Sequence, residues 1–225
     1  MPDATQDAMR TSLTLALLLV LAATAQSGEL RGRVTVPPAP AADVHFKPYA
    51  GRASSLPAPE RPPRGLVTDA VIYVESPATE APGSAPPGRP RLAQRGQAFE
   101  PRVVVVPVGG TVDFPNLDPI YHNVFSVSPP RRFDLGKYPR GHSRSIQFSK
   151  VGQVNVFCDI HSDMAAFVLV VPNDHWARPA ADGGFAVSGL SPGRCRVRAW
   201  HPDFAAREFE VDVPATGDVT LDVGF

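Results

Sequence analysis

The sequence has no excess of charge of either sign. Its 225 residues include 22 Lys and Arg and 22 Asp and Glu, so the formal net charge is zero. Without residues 1–25 the balance is 21 against 20, a net charge near +1. A chain of this kind has no global positive field for nucleic acid, and it has no arginine–aromatic motif for that purpose. We therefore expect no nucleic-acid partner.

Long apolar runs are also missing. The longest, Leu13–Ala23, is too short to span a bilayer and is followed by polar residues. It follows Arg10 and ends at the small residues Ala23-Thr24-Ala25, which is the pattern of a cleavable signal peptide. We expect a signal peptide over residues 1–25 and a mature chain, without a membrane span, in the periplasm or outside the cell.

Cysteine is scarce, with Cys158 and Cys195 the only two in the sequence. Two cysteines in an exported protein form one disulfide by default. A disulfide would leave the spacing of His161 and Met164 behind Cys158 without an explanation. Cys195 lies in an alternating strand pattern where a small buried apolar residue would serve. Two interpretations of Cys158 stay open, half of a disulfide or a metal ligand.

Proline, glycine and valine are abundant, and they decide the fold class. The chain has 26 Pro and 18 Gly, and its short Val-rich runs alternate with polar residues. Short alternating strands between Gly and Pro turns are typical of all-β sandwiches. About 200 mature residues are enough for one large or two small domains.

One stretch of the chain brings together a thiol, two imidazoles and a thioether. Cys158, His161 and Met164 are spaced three residues apart, so one short loop after a strand can turn all three toward one point. His122 lies 36 residues before Cys158, in a loop that follows the apolar run Val103–Phe114. Two His and one Cys with a weak axial Met form the ligand set of blue-copper sites. Zinc also binds Cys and His, but it more naturally recruits a carboxylate or a second thiolate.

At these residues the chain resembles the cupredoxins, most closely the amicyanin and pseudoazurin-like small copper proteins. The resemblance covers residues 89–172 and departs at Ser162, where such loops often have Pro. The matching pieces are Phe99-Glu100-Pro101, Val108–Phe114, Asn116, His122-Asn123-Val124-Phe125 and the Cys-x-x-His-x-x-Met loop.

This resemblance implies a Greek-key β-sandwich that holds one type 1 copper ion. His122, Cys158 and His161 would be the equatorial ligands and Met164 the axial ligand. Asn123 would tie the two ligand loops together from behind the metal. Such supporting bonds orient the ligands and tune the metal.

The two ends of the chain resemble the two halves of another small sandwich. Residues 176–225 are similar to the second half of a carboxypeptidase regulatory-like, transthyretin-like domain, with Asp182-Gly183-Gly184-Phe185 and the Ser191-Pro192-Gly193 turn. Strands of the missing first half are expected at Gly28–Val36 and Asp69–Glu75. Fifty residues are few for an independent core, which favours a discontinuous sandwich over a tandem arrangement.

The predicted domain boundaries follow from these resemblances. A signal peptide covers residues 1–25, and the N-terminal strands of the discontinuous sandwich lie within residues 26–77. The copper domain covers residues 78–175 and is inserted into the sandwich, which residues 176–225 complete.

The predicted function is transfer of single electrons between redox partners, without enzyme activity. The chain has one complete ligand set and neither a Ser-His-Asp nor a carboxylate-pair arrangement. The partner is expected to be a redox protein, a dehydrogenase or a cytochrome; a likeness to methylamine-utilization-like proteins suggests the dehydrogenase. Two alternatives stay open: copper delivery or storage by the same residues, and a cell-envelope binding module that uses the C-terminal sandwich for carbohydrate or protein.

We expect His161 to reach the surface through an apolar patch and Cys158 to be buried behind it. Asp159 and Asp163 suggest a partner with basic groups at this edge. Trp200-His201 and His175-Trp176 could line a cleft between the two domains. The residues expected in the apolar patch are Pro119, Ile120, Ile160 and Ala165.

Overall fold

A computed structural model describes residues 27–38, 63–76 and 88–225 of the chain. The predicted signal peptide lies outside these residues. Within them the fold consists of seventeen strands and one short 3-10 turn, Val67–Asp69, which confirms the prediction of an all-β protein. None of the helical structure in the described ranges is long and apolar enough to cross a membrane.

The strands belong to two units. The central unit contains β3 (Ala93–Arg95), β4 (Ala98–Glu100), β5 (Val103–Pro107), β6 (Thr111–Pro115), β7 (His122–Ser126), β8 (Phe133–Tyr138), β9 (Ser143–Gln147), β10 (Gly152–Phe157) and β11 (Ala165–Val171). The flanking unit contains β1 (Gly28–Thr35), β2 (Val71–Ser76), β12 (Trp176–Ala177), β13 (Gly184–Leu190), β14 (Gly193–Trp200), β15 (Arg207–Val213), β16 (Val219–Thr220) and β17 (Val223–Gly224).

The central unit is a sandwich of one five-stranded sheet and smaller pieces. The large sheet has the order β5-β11-β10-β7-β8, in which β5 and β11 are parallel and the other neighbours are antiparallel. β6 pairs with β9, and isolated bridges connect the β3–β4 hairpin region to β6. Alternate residues of these strands, among them Phe114, Val154 and Val168, fill the core between the layers.

The flanking unit is built from both ends of the described chain. β1 pairs with β13, β16 and β17, and β2 pairs with β12 and β14. The central unit is thus inserted between β2 and β12. A separate core that includes Leu30, Ile72 and Val197 lies between the two sheets of this unit.

The two units share a third apolar layer, and this explains the unbroken valine run in β5. Val104 and Val106 face the core of the central unit, while Val103 and Val105 face the flanking unit. Tyr73 and Trp200 cover this outer face, in a cluster with Val71, Leu169, Val171 and Trp176. A strand that is buried on both faces reads as continuous apolar sequence, without the alternation of a half-exposed strand.

A buried ion-pair network also joins the units. Arg102, directly before β5, donates to Asp203 of the flanking unit at 2.6 Å and to Asp69 at 3.0 Å. Asp203 also accepts from the side chain of Arg64 and the backbone N–H of Gly65. The Asp203 side chain is 1% exposed. Such a network is costly to break, because removal of one charge leaves the others buried without a partner.

A cleft of about 430 Å³ lies beside this junction. Trp200 lines it and donates its Nε1–H to Gln153 of the central unit at 3.0 Å. His201 also lines it, but Nε2 contacts the carbonyl of Leu66 and Nδ1 accepts from the N–H of Asp203. Of the predicted cleft residues, His175 and Trp176 are buried elsewhere, Trp176 within the shared apolar layer.

We predict that Asp203→Asn destabilises the chain by about 3 kcal/mol at pH 7. Burial raises the pKa of Asp203, but Arg102, the Gly65 N–H and Arg64 together hold it well below its usual range. Its contribution is therefore complete above the unfolded-state pKa, about 3.9, and is lost as the pH falls toward the folded-state pKa. Urea unfolding at pH 7, 5, 4 and 3 measures this loss.

The matched control is Asp212→Asn, which removes the same charge from an exposed position on β15 and should change the free energy of unfolding by less than about 0.5 kcal/mol. A difference between wild type and Asp203→Asn that is as large at pH 3 as at pH 7 would contradict this account.

Candidate metal site

The predicted ligands come together at one end of the central sandwich. His122 begins β7, and Cys158 directly follows β10. These strands pair antiparallel through Phe125 and Phe157. The start of one therefore lies beside the end of the other, and a loop from residue 158 to 164 closes the site before β11 begins.

The three strongest donors converge on one point. The Cys158 Sγ lies 3.9 Å from the Nδ1 of His122 and 3.9 Å from the Nδ1 of His161, and the two Nδ1 atoms are 3.1 Å apart. Metal bonds to imidazole nitrogen and thiolate sulfur are about 2.0–2.3 Å long, which places ligand atoms on a shared ion about 3–4 Å apart. The donor set therefore fits a single metal ion.

Met164 ends the ligand loop and is 1% exposed. Its backbone N–H donates to the carbonyl of His161 at 3.1 Å, which closes the turn of the loop. Its side chain belongs to the same buried cluster as Cys158. The thioether is thus buried in the core of the central unit.

A carboxylate fixes the orientation of His122. The Nε2 of His122 is 2.8 Å from the Oδ2 of Asp118, and both residues are buried. Since a carboxylate can only accept, Nε2 carries the proton and Nδ1 presents its lone pair toward Cys158 and His161. A carboxylate on the far nitrogen of a ligating His is the usual support in metal sites.

Asp118 is itself held by two backbone donors and by a hydrogen bond from its own N–H. Its two oxygens accept from the N–H groups of Gly96 at 2.6 Å and Gln97 at 2.9 Å. Both residues of this β3–β4 turn have positive φ, 60° and 59°, which a two-residue hairpin of this type requires. The N–H of Asp118 donates to Asn116 Oδ1 at 2.9 Å. The carboxylate is therefore fixed before any metal binds.

The surroundings favour a thiolate at Cys158. Burial raises the pKa of its thiol, but the hydrogen bond with His122 lowers it, as do the backbone N–H groups of Asn123, His161 and Ile160, and the net shift is downward. Burial lowers the pKa of His122, whereas Cys158 and Asp118 raise it, with a net upward shift. The thiolate is the form that binds metal.

The pKa values of the other two titratable groups, His161 and Asp118, are shifted by the same neighbours. Burial and then repulsion from His122 lower the pKa of His161, which keeps this imidazole neutral and able to bind a metal. Burial raises the pKa of Asp118. The N–H of Gln97, the side chain of His122 and the N–H of Gly96 lower it by more, so the net shift is downward. Asp118 therefore remains a carboxylate.

Asn123 faces the site with its main chain. Its backbone N–H helps to lower the pKa of the Cys158 thiol. Its side chain turns away and donates to Asp134 on β8 at 2.7 Å. The Oδ1 of Asn123 is buried without a hydrogen-bond partner among the described residues.

The structure leaves both cysteines free. Cys158 belongs to the core of the central unit and Cys195 to the core of the flanking unit. Burial raises the pKa of the Cys195 thiol, as expected for a small apolar core residue. A disulfide between them is therefore not part of this fold.

Sequence reasoning missed two residues of this site. Asp118 lies four residues before His122, and the Asn-x-Asp-Pro pattern of residues 116–119 is a signal for the turn that aims its carboxylate inward. Tyr121, directly before His122, is 58% exposed at the same end of the sandwich.

No protein-family model and no curated protein matches the chain. Parts of it are similar to solved structures of copper proteins. A Cu-containing nitrite reductase from Thermus scotoductus is 29% identical over 38% of this chain, with a TM-score of 0.36. A purple cupredoxin from Nitrosopumilus maritimus is 20% identical over 36% of this chain, with a TM-score of 0.33.

An amicyanin variant in its Cu(I) form is 24% identical over 45% of this chain, with a TM-score of 0.35. The matches span 23% of the nitrite reductase and 98% of both the purple cupredoxin and the amicyanin variant.

We predict two free thiols in the protein purified without reductant. Alkylation after denaturation should add two adducts to the intact mass, because the cysteines occupy separate cores. Peptide mapping should place one adduct on Cys158 and one on Cys195. An unmodified chain with a Cys158–Cys195 cross-linked peptide would contradict the structure.

Proposed function

We propose that the protein is a type 1 copper protein that carries single electrons between redox partners in the periplasm or outside the cell. The observation that carries this proposal is the convergence of one thiol and two imidazole nitrogens within 3.1–3.9 Å of one another. His122, Cys158 and His161 would hold the ion, with Met164 as the weak fourth ligand. Copper would supply the one-electron couple.

The surroundings of the site favour copper over zinc. A structural zinc site would be expected to recruit a carboxylate or a second thiolate. Asp118 contacts the far nitrogen of His122 and is already occupied by two backbone N–H groups. Cys195 lies in the other core. The remaining candidate is the thioether of Met164, a soft ligand that suits copper.

The burial of the site favours a carrier over an enzyme. His122 is 0% exposed, Met164 1% and Cys158 4%. A catalytic metal keeps an open position for substrate, and these side chains leave access only past His161. Within the described ranges, His122, Cys158 and His161 are the one group of His, Cys and acidic residues placed to hold a metal. A single group of this kind suits a one-electron centre.

The protein's part in electron transfer is to keep the ligands in place in both oxidation states. Asp118 fixes the ring of His122, and Cys158 is buried in the core of the central unit. A site held by surrounding hydrogen bonds needs little rearrangement when its charge changes.

His161 is the expected exit for the electron, since it is the half-buried member of the ligand set. Exposed apolar groups adjoin the ligands in the sequence: Tyr121 is 58% and Ile160 40% exposed, and Pro119 is exposed. The other patch residues predicted from the sequence, Ile120 and Ala165, are half-buried. A small apolar contact suits a partner, such as a dehydrogenase or a cytochrome, that must be released quickly.

We predict an intense thiolate-to-copper absorption band in the visible when one equivalent of Cu(II) is added to the mature chain. The band should be absent in Cys158→Ala, which lacks the thiolate, and present in Cys195→Ala, the matched control. Voltammetry of the blue or green form should show a reversible one-electron wave.

A pale spectrum that is the same in wild type and Cys158→Ala would overturn the copper–thiolate assignment. A strong band without a reversible wave, together with rapid loss of the metal to a chelator, would favour the alternative of copper delivery or storage.

We also predict that Asp118→Asn weakens Cu(I) binding by about 10- to 100-fold, because His122 loses its fixed tautomer and orientation. Competition with a chromophoric Cu(I) chelator measures the affinity. Asp159→Asn is the matched control, since it removes the same charge from an exposed position in the ligand loop. Equal losses in the two variants would show that Asp118 acts only through its charge.

A further inference from the structure

The charges of this neutral chain are unevenly distributed. Residues 88–173, which include the central unit, have ten Lys and Arg against six Asp and Glu. Between residues 131 and 150 there are six basic residues and a single acidic one, Asp134. We call Arg131, Arg132, Lys137, Arg140 and Arg144 the basic flank.

Most of the basic flank has no opposite charge to balance it. Arg131, Arg132 and Arg140 form no ion pair with any described residue, and Arg144 stacks on the ring of Tyr138 at 5.1 Å. Lys137 lies 3.9 Å from Asp159.

The flanking unit shows the opposite pattern. Arg194 pairs with Glu210, Arg196 pairs with Glu75, and Arg198 pairs with Glu75 and Glu208. Charges that are paired in this way cancel at a distance, whereas those of the basic flank produce a positive field.

One end of the basic flank, the turn that bears Arg140, lies at the exposed end of the candidate metal site, because Tyr138 pairs with His122 whereas Phe133 pairs with Ser126. The N–H of Gly141 donates to the carbonyl of Asn116 at 2.8 Å, and the N–H of Asn116 donates to the carbonyl of His142 at 2.9 Å. The side chain of Asn116 also bonds to the carbonyls of Ile120 and Tyr138. The turn that bears Arg140 is thus fixed beside the loop that bears Tyr121.

Protection of sheet edges explains only part of this pattern. β8 and β9 are edge strands, and Lys or Arg on an edge discourages pairing with another chain. This accounts for Lys137 and Arg144, which lie within these strands. Arg140 lies on the turn between them, and Arg131 and Arg132 precede β8.

We propose that the basic flank is a docking surface for a redox protein whose contact face has carboxylates around an apolar centre. The carboxylates would face Arg140 and its neighbours while the apolar centre covers Tyr121 and Ile160 beside His161. Such charges accelerate encounter and leave release fast at physiological salt. Lys137 offsets Asp159, so this end is less acidic than the sequence alone suggests. This inference rests on the proposed electron-transfer function.

The first test needs no copper bound to the protein and no known partner. Hexacyanochromate(III), a redox-inert paramagnetic trianion, is added to the full mature chain at low salt, and broadening of amide signals is mapped by NMR. We expect broadening at residues 131–144 and 119–121, reduced at least about threefold in Arg140→Glu. Arg207→Glu is the matched control, because Arg207 is exposed on β15 and forms no ion pair with the described residues. Uniform broadening, or an equal reduction in both variants, would overturn the proposal.

The second test separates this proposal from the proposed function. The copper-loaded chain is oxidised by anionic hexacyanoferrate(III) or by cationic tris(phenanthroline)cobalt(III). Arg140→Glu should slow the first reaction at least about threefold and accelerate the second, with little effect from Arg207→Glu. If oxidation is rapid and its rate is the same in wild type and Arg140→Glu, the docking surface is overturned and the electron-carrier function stands. If the copper-loaded chain is not oxidised but the NMR test gives the expected broadening, the anion-attracting surface stands and the proposed electron-transfer function is overturned.

Discussion

The hydrogen bond between Asp118 and His122 is the constraint on which the candidate site depends. The bond holds the imidazole with its proton on the far side, so Nδ1 faces the sulfur of Cys158. The carboxylate cannot move toward the metal, because the N–H groups of the β3–β4 turn hold it from behind. The geometry of one ligand is thus set by a hairpin that contributes no ligand itself.

The rest of the fold makes that geometry rigid. β7 and β10, which bear His122 and Cys158, are central strands of the largest sheet. Across that sheet, β5 and β11 are buried on both faces, because Trp200 and Tyr73 of the flanking unit cover their outer side. Interiors packed in this way move little. The inserted arrangement therefore gives the site a thicker support than a single sandwich would.

The grouping of His122, Cys158 and His161 could be predicted from the sequence, whereas its support could not. Cys158, His161 and Met164 lie within one loop, so their spacing can be recognised from the sequence alone. The contact of Asp118 with Gly96 depends on a hairpin that precedes it by about twenty residues, and only the fold brings them together. The side chain of Asn123 donates to Asp134 on β8, a contact that likewise only the fold creates. The basic flank was likewise not predicted, because the total charge of the chain is zero and gives no sign of an uneven distribution.

The most direct test of the account is a pair of crystal structures of the mature chain, one metal-free and one loaded with Cu(I). The account predicts one copper ion bound by His122, Cys158 and His161 with the sulfur of Met164 nearby. It also predicts that the His122 ring and the Asp118 carboxylate differ by less than about 0.5 Å between the two structures. A His122 ring that turns away from Asp118 when the metal is absent, or copper bound by a different set of residues, would contradict it.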